Sequence, residues 1–166
     1  TGALPNVGWT QTEWNVRPQF ADLIGRKSGI KPSEHDWFWG WDLHIDHDFG
    51  YAKVSAITAF ETQREGELSD QDATSASQAD SSRTVNSNVF TQELRLASAH
   101  PDDRFQWVVG AFYQRSFMNQ RFFFDYTDYL PARGYMQATT FGMKQESVSE
   151  FGHLSYRLPK NVTLFV

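Results

Sequence analysis

In HDWFWGWDLHIDHD, residues 35–48, Trp37, Trp39, Trp41, Leu43 and Ile45 fall on one parity, and Gly40, Asp42, His44 and Asp46 on the other. A two-residue period means a strand with one apolar and one mainly polar face. The same period recurs where Ala52, Val54, Ala56 and Phe60 oppose Lys53, Ser55 and Glu61. It returns where Phe105, Trp107, Val109, Ala111 and Tyr113 oppose Gln106, Gly110 and Gln114. A less regular stretch puts Phe90, Leu94 and Leu96 on one face together with Gln92, against Thr91, Glu93 and Arg95. The pattern predicts about six strands, near 37–47, 51–62, 89–98, 105–116, 147–157 and 162 onward.

The connections between these segments alternate in length. Asp48, Phe49 and Gly50 make a tight link, as do SAHPDDR and LPKN. The polar excursions between them run to about 26 and about 30 residues, longer than compact domains usually tolerate without structure. An antiparallel meander puts odd-numbered links at one end of the sheet and even-numbered links at the other. A transmembrane β-barrel has short periplasmic turns and long extracellular loops, and each strand needs about 9–11 residues to cross the bilayer. The sequence therefore predicts an all-β fold, a segment of a transmembrane antiparallel barrel. Its first strand descends from the outer surface. Trp37 and Trp39 then belong to the outer aromatic girdle, with Leu43 and Ile45 deeper in hydrocarbon.

Residues 1–36 do not alternate and are expected to form an extracellular loop region. One helical turn is predicted in RPQFADLIG, with Pro18 as its first residue, Phe20, Leu23 and Ile24 on one face, and Gly25 at its end. The barrel segment proper is assigned to residues 37–166. Alternation still running through Val162, Leu164 and Val166, and a first residue Thr1 with no initiating Met, predict a piece of a longer chain.

Composition narrows the partners. A net charge of −5 offers no basic surface for a polyphosphate backbone, so nucleic acid is not expected. Without cysteine there are no disulfides, thiolate nucleophiles or Cys-ligated zinc. Mean hydropathy is −0.55, yet 16% of the residues are aromatic, a combination that suits a barrel in which only alternate residues meet lipid.

Beyond periodicity, AKVSAITAF, an acidic loop, FTQELRLAS, a short turn, FQWVVGAFYQR, a long loop and FGHLSYRLPKNVTLFV follow one another in order. This succession resembles the barrel portion of TonB-dependent outer-membrane receptors. The resemblance covers roughly residues 43–166 and rests on motif order more than on any single motif. It implies a 22-stranded barrel in the bacterial outer membrane, of which this chain is about a quarter, with a plug domain and a TonB-contacting segment that match nothing here. It also implies active uptake of a scarce nutrient such as an iron–siderophore, haem, cobalamin or oligosaccharide. The implied partners are a small-molecule or chelate substrate, outer-membrane lipid, the plug and remaining strands, and TonB. A passive porin and a soluble β-sandwich carbohydrate-binding module are the alternatives.

Three clusters stand out. His44, Asp46, His47 and Asp48 resemble a metal set, but strand geometry turns His47 away from the others, so they read as lumen-facing polar residues. Asp70, Asp72 and Asp80 lie in a Ser-rich stretch without the glycine and terminal Glu of a calcium loop, and read as a solvated outer loop. RFFFDYTDYLPARGYMQATTFGMK crowds aromatic rings and arginines into a predicted extracellular loop. Rings there can stack on flat or sugar-like ligands, and Arg can pair with carboxylates. The candidate ligand-contact residues are Phe123, Tyr126, Tyr129, Arg133 and Tyr135. No nucleophile elbow, phosphate loop or HExxH helix occurs, so no catalytic residue, metal or cofactor is expected.

Overall fold

The computed structural model describes residues 16–71, 73, 79–128 and 136–166. It contains one open six-stranded antiparallel sheet whose spatial order follows the chain: β1 (Ser33–Asp48), β2 (Ala52–Asp70), β3 (Asp80–Ser98), β4 (Phe105–Asp125), β5 (Met136–Arg157) and β6 (Thr163–Phe165). A helix, α1 (Pro18–Leu23), precedes the sheet, and a 3-10 turn (Pro159–Asn161) separates β5 from β6.

The six strands and their order match the expectation, but β2 to β5 are far longer than predicted. They contain 19, 19, 21 and 22 residues, against the usual 3–10 in globular proteins. The two supposed long loops are mostly strand, leaving connections at residues 71–79 and 126–135. Alternation could not reveal these extensions because they carry polar groups on both faces. Charge pairing across neighbours takes its place: Arg83 on β3 lies 3.3 Å from both Glu65 and Glu67 on β2.

The short turns are built from local chemistry. At the first, Gly50 adopts φ +86, where a side chain would be strained, and its N–H donates to Asp48 Oδ1 at 2.8 Å. At the last, β5 and β6 pair Ser155 with Phe165, Tyr156 with Leu164 and Arg157 with Thr163.

Two compact units divide the chain, and β1 to β5 each contribute to both. One comprises residues 39–62, 88–117 and 143–166. Its cross-strand contacts confirm the two predicted faces. On one, the Trp39 ring meets Phe60 at 6.2 Å and Phe90 meets Tyr113 at 6.3 Å. On the other, His44 Nε2 lies 2.9 Å from Ser55 Oγ across the pair, and within β3 Arg95 pairs with Glu93 two residues away. Gln92, the polar residue on the apolar face, is internally satisfied. Its Oε1 accepts from Thr58 Oγ1 at 2.6 Å, and its Nε2 donates to the Ile57 carbonyl at 3.2 Å.

The other unit comprises residues 1–38, 63–87 and 118–142. Its buried cluster is Val16, Phe20, Ala21 and Leu68, with Ile24, Ile30, Phe123 and Met136 packed around it. Helix α1 starts at Pro18 as predicted and closes with a Schellman motif. Arg26 N–H donates to Ala21 O at 2.8 Å, Gly25 N–H donates to Asp22 O at 3.1 Å, and Gly25 takes φ +70. The helical face differs from expectation: Leu23 is exposed, and Ala21 is buried beside Phe20. A six-residue helix has room for only one turn of contact, and Phe20 and Ala21 provide it.

Candidate functional site

The end of β4 holds the described part of the aromatic cluster. Phe122, Phe124 and Tyr126 line up at alternate positions, with Phe122 and Phe124 edge to face at 4.0 Å and Phe124 and Tyr126 stacked at 5.2 Å. These spacings fall within or just below the usual range for attractive ring pairs. Phe123, on the opposite parity, packs into the Val16–Phe20–Leu68 cluster. The two described candidates therefore do different work. Tyr126 ends a half-buried ring ladder, whereas Phe123 is part of a core under α1. Tyr129, Arg133 and Tyr135 lie outside the described residues.

Beside the ladder sits a carboxylate that sequence reasoning missed. Asp125 is fully buried at the last position of β4. Its Oδ1 accepts from the Thr127 N–H at 2.9 Å and from the Thr127 hydroxyl, an Asx-type turn that holds the carboxylate in place. Its Oδ2 faces Arg17 Nε at 3.6 Å, an ion pair without a hydrogen bond. The same guanidinium bonds to Asp128. The D-x-T spacing at 125–127 is the signal that marks the turn. Nothing in the sequence singles out Arg17 as the partner, because that contact joins residues 108 apart in the chain.

The metal readings fare differently. No group of three or more His, Asp or Glu among the described residues is arranged to hold a metal ion. His44 instead contacts Ser55 and lies 3.3 Å from Asp46, while Asp48 is turned to Lys53 at 3.6 Å. The stretch read as a solvated loop is in part buried strand. Asp70 closes β2, Asp80 opens β3, and Asp80, Ser81 and Ser82 are buried. Asp70 Oδ1 accepts from Ala73 N–H at 2.9 Å.

The polar face of the unit comprising residues 39–62, 88–117 and 143–166 has its own built feature. A Cβ at Gly110 would lie 2.3 Å from the tip of the Phe151 ring, so the ring rests directly on the glycine. The Arg95 guanidinium stands 5.9 Å from the same ring centroid and is held by Glu93. Leu94, Leu96, Val109, Gly110, Ala111, Glu150, Phe151 and Gly152 line an open recess of about 660 Å³. On the apolar face, Trp41, Leu43, Ile45 and Leu94 are 43–55% exposed. The chain matches no known family model and no curated protein sequence.

Proposed function

We propose that this chain forms part of the barrel wall of a TonB-dependent active transporter in a bacterial outer membrane. One observation carries the reading: strands of 16–22 residues bear an apolar face that none of the described residues covers. At about 3.3 Å per residue, a 21-residue strand runs about 70 Å and, tilted by about 45°, rises about 50 Å. That is about twice the ~25 Å apolar band of an outer-membrane barrel. Such strands cross the hydrocarbon and continue into water.

An exposed apolar face of this extent marks contact with a membrane or another protein. Lipid suits it, since the reverse face carries the ion pairs and amides expected of a polar lumen. Gln92 fits the same surroundings because its amide is satisfied by Thr58 and Ile57. A soluble sandwich needs a second layer over this face, and the described residues form a single sheet. The free edges of β1 and β6 then require further strands, because open edges are not tolerated in lipid. The transporter class, rather than a passive porin, rests on the ordered resemblance of residues 43–166. In that role these residues supply wall and outer loops and perform no chemical step.

Three measurements test the reading. Bromine carried deep in the acyl chains quenches a Trp placed at Leu43, whereas bromine near the headgroups quenches Trp39. A freely dissolved 19.1 kDa monomer that needs no detergent would sink the membrane assignment. Cells lacking this protein and cells lacking TonB share a growth defect on one source among iron chelates, haem, cobalamin and oligosaccharides. A defect confined to the first strain points to the porin instead.

A further inference from the structure

We propose that residues 16–32 form a lid over the end of β4, latched by Arg17 on Asp125 and Asp128, and that opening it uncovers Phe123, Leu68 and Met136. The lid contributes Val16, Phe20 and Ala21 to the buried cluster, and the strands contribute Leu68, Phe123 and Met136. Phe123 is half-buried while the lid is closed and becomes fully available to a ligand only when the lid is away.

The two halves of the latch are built differently. Asp125 is oriented by its own turn, through Thr127, whether or not the lid is closed. Arg17 arrives with the lid, one residue before α1. Closure turns its guanidinium toward a carboxylate that is fully buried, while the contact with Asp128 stays at the solvent boundary, with side chains 29% and 41% exposed. Opening strips Asp125 of its cation, so the closed form is favoured until the whole segment lifts.

The segment is also made to move as one piece. A helix of six residues does not persist alone in water, so undocking and melting of α1 are a single event. On its far side, Gly25 and Gly29 take φ +70 and +78 around exposed Arg26, Lys27 and Ser28, a stretch with few buried contacts to resist rearrangement. The result is a two-state element hinged between α1 and β1. Its role in ligand capture rests on the transporter reading; the latch itself does not.

Because the chain has no cysteine, single-cysteine labelling reads the lid directly. Leu68→Cys sits under the lid, and Ala52→Cys is a buried control remote from it in sequence. In detergent-solubilised full-length protein, Asp125→Asn and Arg17→Gln are each expected to raise maleimide labelling of Leu68→Cys about ten-fold and leave Ala52→Cys unchanged. An unchanged rate at Leu68→Cys in either variant overturns the latch, as does an equal rise at Ala52→Cys. A membrane-impermeant maleimide on intact cells separates the two claims. The same ten-fold rise there supports capture from outside, whereas a rise confined to solubilised protein overturns the capture role and the outward orientation but keeps the latch.

Discussion

Phe20 and Trp41 are both large apolar residues, yet one is completely buried and the other is 43% exposed. The difference belongs to the units that hold them. Where residues 16–32 lie over the strands, the chain seals its own core and even buries a carboxylate beside it. In the unit of Trp41, Leu43 and Ile45, no layer of described residues lies over the apolar face. Burial of such side chains normally contributes about 1.5–3 kcal/mol each. One unit gains this from its own chain; on the proposed reading the other gains it from lipid.

The largest expected effects test that contrast from both sides. Phe20→Ala should destabilise docking of α1 by about 3–5 kcal/mol, since it empties the centre of the cluster. Hydrogen exchange at the Ile24, Gly25 and Arg26 amides would report it, equally in detergent and in lipid. Leu43→Arg should cost about 2–4 kcal/mol if its side chain meets hydrocarbon, read as a lowered unfolding midpoint in bilayers. A silent Leu43→Arg would remove the distinction between the two units.

What the sequence could reveal followed the same division. Trp37 to Ile45 and Phe105 to Tyr113 announced strands because one face is apolar and the other is not. The extensions around Glu65, Glu67 and Arg83 stayed hidden because their pairing is by charge, which hydropathy does not register. Pro18 and Gly25 marked both ends of α1, since capping is local. The Arg17–Asp125 contact was illegible because it depends on strands bringing distant residues together. Likewise Phe123 read as a ligand residue by type, while its packing against the Phe20 cluster depends on the fold.

Smaller effects sharpen the picture of the strand faces. Gly110→Ala puts a methyl 2.3 Å from the Phe151 ring, and overpacking of this kind costs about 1–3 kcal/mol. With Phe151→Leu in the same chain the penalty should fall, and the coupling energy from the double-mutant cycle measures the ring-on-glycine contact. Additive effects would mean the ring lies elsewhere. Thr58→Val leaves the Gln92 Oε1 without its donor on the apolar face, a loss of about 1–3 kcal/mol. Adding Gln92→Leu should recover most of that loss, because removing both partners leaves no unsatisfied polar group.

The smallest effect concerns the first turn, outside the apolar span, where Asp48 is exposed. The Gly50 N–H holds its carboxyl below the ordinary value of 3.8, and the charges of Lys53 and His100 pull in the same direction. A carboxylate with a lowered folded-state pKa stabilises the fold above its unfolded value and loses that contribution as pH falls through the folded value. Acid titration of the folded protein should therefore show a stability decline below pH 3.8 that is shallower in Asp48→Asn, with the two proteins alike in slope at neutral pH. The change is small, because water screens an exposed pair. The effect is local to the turn, because Asp48 is held by a neighbour two residues away. An acid decline in Asp48→Asn as steep as in the parent protein would mean that the Gly50 N–H does not stabilise the charged carboxylate.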